Sequence, residues 1–193
     1  IPRLSIGSLR VTDGPNGARG GGSLIGGVKS AAFPVGIALG ASWNPPLAHE
    51  IGSALADEVK SKGAHMLLAP TVNIHRSVVN GRNFECYSED PILTGILASA
   101  YIKGLQSKGV AATIKHYAGN ESEFQRTTMS SQIDERSLRE IYLLPFEMAV
   151  KVGGTWGIMS SYNKVNGTYA AENHWLLTEV LRGAWDVIES IEI

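Results

Sequence analysis

The sequence predicts an α/β protein built as part of a (β/α)8 barrel, on the basis of three observations. Short apolar runs with β-branched residues alternate with segments of helical periodicity, which is typical of a parallel sheet. Four or five such units can be counted, too few to close a barrel of eight. Polar clusters follow several separate strands, as at a barrel rim, whereas a doubly wound sheet gathers its site at one crevice.

The central stretch of the predicted sheet is Val110–Glu121. Its first half is apolar and predicts a buried strand. Its second half places a lysine, an imidazole, a phenol, an amide and a carboxylate within seven residues. A strand that ends in this way delivers polar groups to the carboxyl edge of a parallel sheet, although it could also simply surface into a polar turn. Lys115 and His116 are therefore candidate site residues.

Three strands and two helices are predicted before this stretch, and the first two strands and the first helix lie before residue 64. Ser8–Val11 indicates a brief strand, followed by a tight turn rich in Gly, Pro and Asn. Asp13 in that turn can be an Asx-turn former or can accept hydrogen bonds from ligand hydroxyls. Phe33–Gly40 is interpreted as the next strand. Apolar residues then recur every four positions over 47–59, which predicts a helix that Gly63 ends.

A third strand, Met66–Pro70, leads into a long polar connection over residues 71–90. Connections of this length in a compact domain are uncommon unless they have a function. Asp90 followed by Pro91 predicts the N-cap and first turn of a helix to about Lys108. Asp90 therefore has a structural interpretation.

The remaining elements continue the alternation. Asp134 predicts the cap of a helix that Pro145 kinks or restarts. Trp156–Ser160 predicts a strand, and Tyr162 lies in the polar segment after it. A last helix is predicted from about His174 to Arg182, and the tail that follows is left unassigned.

The composition excludes several classes of function. A net charge of −1 gives no electrostatic basis for binding nucleic acid or an anionic membrane surface. No apolar run is long enough to span a bilayer. The lone cysteine, Cys86, excludes an internal disulfide and leaves the compartment open. No signal peptide is visible, and without an initiator Met we expect residues to precede Ile1.

Nucleotide and metal chemistry are also disfavoured, so we expect no cofactor and no metal. The loop Gly20–Gly22 has neither the Lys-Ser/Thr ending of a P-loop nor the GxGxxG spacing. The five histidines show no HxH or HExxH spacing.

Four motifs occur in one order and together resemble the N-terminal catalytic domain of glycoside hydrolase family 3, particularly its fungal and yeast β-glucosidases. They are residues 9–17 (LRVTDGPNG), 81–91 (GRNFECYSEDP), 115–121 (KHYAGNE) and 159–167 (MSSYNKVNG). The resemblance runs over nearly the whole chain. Residues 117–121 match the glucosidase and xylosidase branch, not the N-acetylglucosaminidase branch with its His-Asp dyad.

The resemblance implies roles for five residues around the terminal sugar of a β-glucoside. Asp13 would accept hydrogen bonds from hydroxyls remote from the scissile bond. Arg82, Lys115 and His116 would donate to other hydroxyls, and Tyr162 would lie beside the anomeric carbon. Such contacts tighten as the ring flattens toward an oxocarbenium ion.

The chain departs from the family where the catalytic carboxylates are expected. In the family, the nucleophile is an aspartate in a Ser-Asp-Trp motif. This sequence lacks that motif, and we expect the aspartate just beyond Ile193. The acid/base glutamate comes from a later domain. Asp186, Glu189 and Glu192 match no family position and are assigned no role.

We therefore expect residues 1–185 to form a partial family 3 barrel, with about the first five or six βα units, and 186–193 to be a divergent tail. This would be a fragment or a truncated gene product, weakly active or inactive without the downstream domains. The alternatives are a non-catalytic carbohydrate-binding or regulatory derivative of the same fold and β-xylosidase specificity.

Overall fold

The computed structural model of the chain describes residues 2–4, 7–21, 28–187 and 191–192. The strands in this part of the chain are β1 (Val11–Asp13), β2 (Met66–Leu68), β3 (Ala111–Tyr117), β4 (Ser130–Ser131), β5 (Gly157–Ser160), β6 (Lys164–Val165), β7 (Thr168–Tyr169) and β8 (Ile191–Glu192). Five of them form one sheet in the order β1-β2-β3-β5-β8, and every neighbouring pair is parallel. The predicted partial barrel is confirmed, because this parallel sheet is not closed.

The described helices are α1 (Gly36–Ser42), α2 (Pro45–Ser61), α3 (Pro91–Gln106), α4 (Glu135–Ser137) and α5 (Leu144–Lys151), with π-helical segments at Leu138–Tyr142 and Trp175–Ala184 and 3₁₀ turns at Pro2–Leu4, Asn83–Glu85 and Ala170–Glu172. β3 lies in the middle of the sheet and is buried along its whole length. Helices on one side and side chains of the barrel interior on the other account for this burial.

Two of the predicted helix starts are fixed by side-chain caps. The Asp90 carboxylate accepts hydrogen bonds from the backbone N–H groups of Ile92 and Leu93, at 2.8 and 3.3 Å. Asp134 accepts from the N–H of Ser137 at 3.0 Å. Each cap satisfies a donor that the first turn of a helix leaves without a partner.

The prediction of a strand over Phe33–Gly40 is wrong, because α1 occupies most of this segment. A short apolar run does not distinguish a buried helix from a strand. Two glycines decide it in favour of the helix. A Cβ at Gly36 would collide with the carbonyl of Glu85, and one at Gly40 with the carbonyl of Tyr87. The helix therefore packs directly against the backbone of the loop 82–87.

Other elements differ from the predictions in detail. The first strand lies at Val11–Asp13 and not at Ser8–Val11. The chain does restart near Pro145, where the π-helical turn gives way to α5. The last predicted helix forms as the π-helical segment Trp175–Ala184. The unassigned tail contributes β8, which pairs with β5, while residues 188–190 and 193, including Glu189, lie outside the described residues.

The core fills the space between the sheet and its helices. Tyr117 at the end of β3 is fully buried and meets Phe146 and Trp185 edge-on, with ring centroids 5.2 and 5.9 Å apart. Its hydroxyl donates to the carbonyl of Leu176 at 2.9 Å. This tyrosine therefore belongs to the core and not to the polar edge of the sheet. Within the described ranges, no helix has the length and apolar character to cross a bilayer.

Glycines set the close approach of α2 and α3. A Cβ at Gly104 would meet the backbone of His49 and Ser53, and one at Gly52 would meet the carbonyl of Tyr101. The two helices thus touch backbone to backbone.

We expect Gly104→Ala to lower the free energy of unfolding by about 1 to 3 kcal/mol, because overpacking outweighs the roughly 1 kcal/mol that alanine gains in helix propensity. Urea unfolding followed by circular dichroism measures this. Gly21→Ala is the control, since a Cβ there meets nothing within 4 Å. Equal stabilities of the two variants would contradict this packing.

Candidate functional site

A polar cleft of about 440 Å³ lies at the carboxyl ends of the parallel strands. It is lined by residues from β1, β2, β3 and β5 and from the loops that follow them, namely Asp13, Leu68, Arg82, Lys115, His116, Asn120, Arg126, Met159, Ser160 and Tyr162. All five residues singled out from the sequence are among them. The structure therefore brings the five together, although they are spread over 150 positions from 13 to 162.

Lys115 is the most deeply buried charge of this cleft, with only 3% of its side chain exposed. Its Nζ lies 3.2 Å from Asp13 Oδ1 and 3.9 Å from Glu85 Oε2. The pairing with Asp13 follows from the sheet, where β1 and β3 both flank β2. A buried ammonium group requires such partners, because an isolated charge in the interior is strongly disfavoured.

The turn after β1 brings a second cation to Asp13. Gly14 has φ 123°, a conformation that favours glycine, and the N–H of Arg19 donates to the carbonyl of Asp13 at 2.9 Å. The Arg19 guanidinium then lies 3.6 Å from Asp13 Oδ2. Asp13 is thus an anion held between Lys115 and Arg19, with half of its side chain exposed.

Arg82 is oriented by carboxylates on both sides. Its Nε donates to Glu85 Oε1 at 2.5 Å, and its Nη1 lies 3.9 Å from Glu123 Oε1. Burial alone lowers the pKa of Arg82, but the hydrogen bond and charge of Glu85, aided by Glu123, outweigh it and raise the pKa. The guanidinium group is a permanent donor at the cleft.

His116 is a neutral imidazole. Burial lowers its pKa to about 2, and the cations Arg82, Lys115 and Arg126 act in the same direction. Asn73 holds its backbone: the amide oxygen accepts from the His116 N–H at 3.0 Å, and the amide nitrogen donates to the His116 carbonyl at 3.0 Å. The same Asn73 oxygen lies 3.4 Å from His116 Nδ1.

Glu121 lies behind His116 and shares Asn73 with it. The Asn73 amide donates to Glu121 Oε1 at 3.4 Å, and the N–H of Ile74 also donates to this carboxyl. Burial nevertheless raises the pKa of Glu121 to about 7. This group therefore titrates near neutral pH, next to the segment that carries His116.

Tyr162 is the exposed wall of the cleft, with 64% of the residue accessible. The guanidinium of Arg126 lies over its ring at 5.2 Å from the centroid, and Arg126 also pairs with Glu123 at 3.0 Å. Such stacking keeps a phenol ring and a cation in a fixed relation.

Sequence reasoning missed Glu85, Asn73 and Arg126. Glu85 lies within the motif of residues 81–91, and Arg126 lies five positions after the motif of residues 115–121. A charged residue in or near a motif was therefore the available signal. Asn73 lies in the long loop after β2, where only the unusual loop length indicated function.

The cleft combines fixed cationic donors, an anionic acceptor and a neutral imidazole. Groups of this kind can surround a ligand that carries several hydroxyls, each of which both donates and accepts. Among the described residues, no three His, Cys, Asp or Glu side chains are grouped so that they could hold a metal ion.

A parallel sheet of barrel type with its polar cleft at the carboxyl edge is the arrangement of a (β/α)-barrel domain. Comparison with known families makes the class specific. The chain belongs to glycosyl hydrolase family 3, whose N-terminal domain matches residues 14–187.

The chain is similar to proteins that are named β-glucosidases. It is 69% identical over 185 residues to the β-glucosidase of Rhizobium radiobacter. The aligned residues make up 96% of this chain and 23% of that protein. It is 56% identical over 184 residues to β-glucosidase B of Emericella nidulans, with 95% and 22% covered. The chain thus spans less than a quarter of the length of these relatives.

Solved structures agree with this assignment. The structure of β-glucosidase 3B from Thermotoga neapolitana in complex with glucose superimposes with a TM-score of 0.94 at 45% identity, covering 100% of this chain and 27% of that one. The β-glucosidase from Kluyveromyces marxianus in complex with glucose gives 0.95 at 43% identity, covering 100% and 23%.

The raised pKa of Glu121 predicts a pH-dependent stability. The folded chain retains the proton up to about pH 7, whereas the unfolded chain releases it near pH 4.3. The contribution of this group is complete at low pH and is lost as the pH rises through this window.

We expect Glu121→Gln to match the parent near pH 4 and to be more stable by roughly 3 kcal/mol at pH 8, because the amide carries no charge to desolvate. Urea unfolding at both pH values tests this, with the exposed Glu50→Gln on α2 as control. A stability difference that does not change with pH would contradict the shift.

Proposed function

We propose that this chain binds the terminal β-D-glucosyl residue of a β-glucoside in the 440 Å³ cleft and forms the glycone-binding part of a β-glucosidase. The observation that carries the proposal is the meeting of Asp13, Arg82, Lys115, His116 and Tyr162 on one cleft.

The chemistry of these side chains suits a sugar. Asp13 is half exposed, so its oxygens can accept from ring hydroxyls. Arg82 and Lys115 can donate, and the neutral imidazole of His116 can donate through one nitrogen and accept through the other. Tyr162 supplies an exposed aromatic wall on which the less polar face of a sugar ring can rest.

The comparisons support glucose as the sugar. The relatives are named β-glucosidases, and the structures from Thermotoga neapolitana and Kluyveromyces marxianus are complexes with glucose. The match of residues 117–121 to the glucosidase and xylosidase branch favours the same assignment. β-Xylosidase specificity is the nearest variant of this proposal, since the two sugars differ only at C6.

In this proposal the chain positions the sugar, and hydrolysis needs two further carboxyl groups. A retaining glycosidase uses a nucleophile and an acid/base about 5 to 5.5 Å apart. Among the described residues that line the cleft, Asp13 is the one carboxylate, and it is paired with Lys115 and Arg19. We assign the nucleophile to an aspartate just beyond Ile193 and the acid/base to a later part of the polypeptide.

The reaction then proceeds by two displacements at the anomeric carbon. The nucleophile forms a bond to C1 while the C1–O bond to the aglycone breaks, and the acid protonates the departing oxygen. Water, deprotonated by the same group, then bonds to C1 while the bond from C1 to the nucleophile breaks, which frees the nucleophile and releases glucose. The groups of this chain contribute by hydrogen bonds to hydroxyls that strengthen as positive charge develops on the ring.

A second candidate function is sugar binding without turnover. It is favoured by the absence of a pair of catalytic carboxylates among the described residues that line the cleft. It makes a different prediction, because a binding module needs no further part of the polypeptide.

A chimaera separates these functions. We expect the Rhizobium radiobacter β-glucosidase to hydrolyse an aryl β-glucoside when this chain replaces the matching 185-residue segment. The 193-residue chain alone is expected to bind glucose and to leave the aryl glucoside intact. Loss of all hydrolysis in a folded chimaera would contradict the β-glucosidase proposal, and turnover by the isolated chain would contradict the placement of the nucleophile.

We expect Asp13→Asn in the chimaera to reduce kcat/KM by roughly a hundredfold or more, because a site built to bind hydroxyls is left with an unmatched group. The matched control is Asp57→Asn, which removes an exposed carboxylate paired with Lys108 on the helical surface. An equal effect of the two substitutions on kcat/KM would show that Asp13 does not act in the cleft.

A further inference from the structure

Glu85 is a buried carboxylate for which the proposed chemistry has no direct use. It is 5% exposed and is the last residue of the 3₁₀ turn Asn83–Glu85, which directly follows Arg82. It does not line the 440 Å³ cleft but lines an adjoining cavity of about 410 Å³, which shares Asp13, Arg82 and Lys115 with the cleft. Burial of a carboxylate costs free energy unless hydrogen bonds and opposite charges compensate for its lost hydration, and the contacts of Glu85 provide this compensation.

Both oxygens of Glu85 are engaged by other side chains. Oε1 accepts from Arg82 Nε at 2.5 Å. Oε2 accepts from the Thr71 hydroxyl at 2.6 Å and lies 3.9 Å from Lys115 Nζ. One carboxylate thus pairs with two of the three cations that line the cleft, Arg82 and Lys115.

The sheet makes this arrangement rigid. Thr71 and Lys115 are bridge partners on adjacent parallel segments, so their side chains lie next to each other. The N–H of Glu85 donates to the carbonyl of Arg82 at 3.2 Å, which fixes the turn. Gly36 of α1 packs against the carbonyl of Glu85, where a Cβ would collide. The carboxylate is therefore held from the sheet, from its own turn and from α1.

Resting on the proposed function, we propose that Glu85 is a positioning residue that aims Arg82 and Lys115 at the sugar and so determines which hydroxyls the site recognises. It takes up Arg82 Nε, and Nη1 lies 3.9 Å from Glu123, so that Nη2 remains for the cleft. Together with Asp13 it balances the charge of Lys115. A hydrogen bond to a hydroxyl depends on such orientation, since its strength falls steeply with angle.

The test compares hydroxyl recognition in the active chimaera. The substrates are an aryl β-glucoside and its 2-, 3-, 4- and 6-deoxy analogues, and the readout is the ratio of kcat/KM for the parent sugar to that for each analogue. This ratio is independent of the amount of folded enzyme, so a merely structural role of Glu85 does not change it. Arg82→Lys and Lys115→Met identify the hydroxyls that each cation contacts. A variant that has already lost such a contact shows the smallest further fall in kcat/KM when the hydroxyl concerned is removed.

We expect Glu85→Gln to lower the ratio by roughly tenfold or more at those hydroxyls, and to leave the ratio at the other hydroxyls unchanged. Thr71→Val keeps the charge and frees one carboxylate oxygen, so it should lower the same ratios by a smaller factor. Glu147→Gln, which changes a partly exposed glutamate paired with Lys151 on α5, is the control and should change none of them.

Unchanged ratios in both Glu85→Gln and Thr71→Val would overturn the positioning role, even if total activity fell. Equal losses at all hydroxyls would also overturn it. Failure of the unsubstituted chimaera to hydrolyse the glucoside would instead overturn the proposed function itself, and the positioning role with it.

Discussion

The buried ammonium group of Lys115 is the interaction on which the site depends. A charge that is 97% removed from solvent is tolerated only where anions compensate it, and here Asp13 and Glu85 do so from two sides. Each of these anions holds a further arginine, Arg19 or Arg82. The polar edge of the sheet is thus a connected set of charges, in which the removal of one member leaves its neighbours with fewer groups to compensate their charge.

This charge network is possible only because the backbone beneath it is closely fixed. Parallel pairing of β1, β2 and β3 sets Asp13 and Lys115 at the same edge. Glycine contacts bring α1 against the loop that carries Glu85 and bring α2 against α3. On the other side of β3, Tyr117 is packed among aromatic rings, so the strand that carries Lys115 and His116 is held by the core immediately beyond them. Packing therefore supplies the rigidity that recognition of hydroxyls requires.

Local signals in the sequence were sufficient for much of this fold. The caps Asp90 and Asp134 and the apolar run of β3 are determined by neighbours in the chain, and their elements form as predicted. The segment Phe33–Gly40 was misassigned because its helix depends on close contacts of Gly36 and Gly40 with residues about fifty positions away. Nothing local distinguishes these contacts from those of a buried strand.

In the candidate site, too, some residues could be identified from the sequence and others only from the fold. The five predicted residues all fall in the four motifs, and Lys115 and His116 also follow from their place at the end of a buried strand. Glu85 lies in one of these motifs as well, but its contacts with Thr71 and Lys115, like those of Asn73 with His116, depend on the fold. Thr71 and Lys115 are 44 positions from each other, and Asn73 and His116 are 43, so neither set of contacts is visible as a spacing in the sequence.

The most direct test of the account is to observe the Lys115 ammonium group as sugar is added. In ¹⁵N-labelled chain, the buried ammonium should give a slowly exchanging NMR signal, assigned by its loss in Lys115→Arg. We predict a saturable shift of this signal with D-glucose and none with L-glucose, whose hydroxyls have the mirror-image arrangement. A Lys115 signal that stays unchanged at saturating D-glucose, or that shifts equally with both enantiomers, would contradict the claim that this charge network is a glucose-binding site.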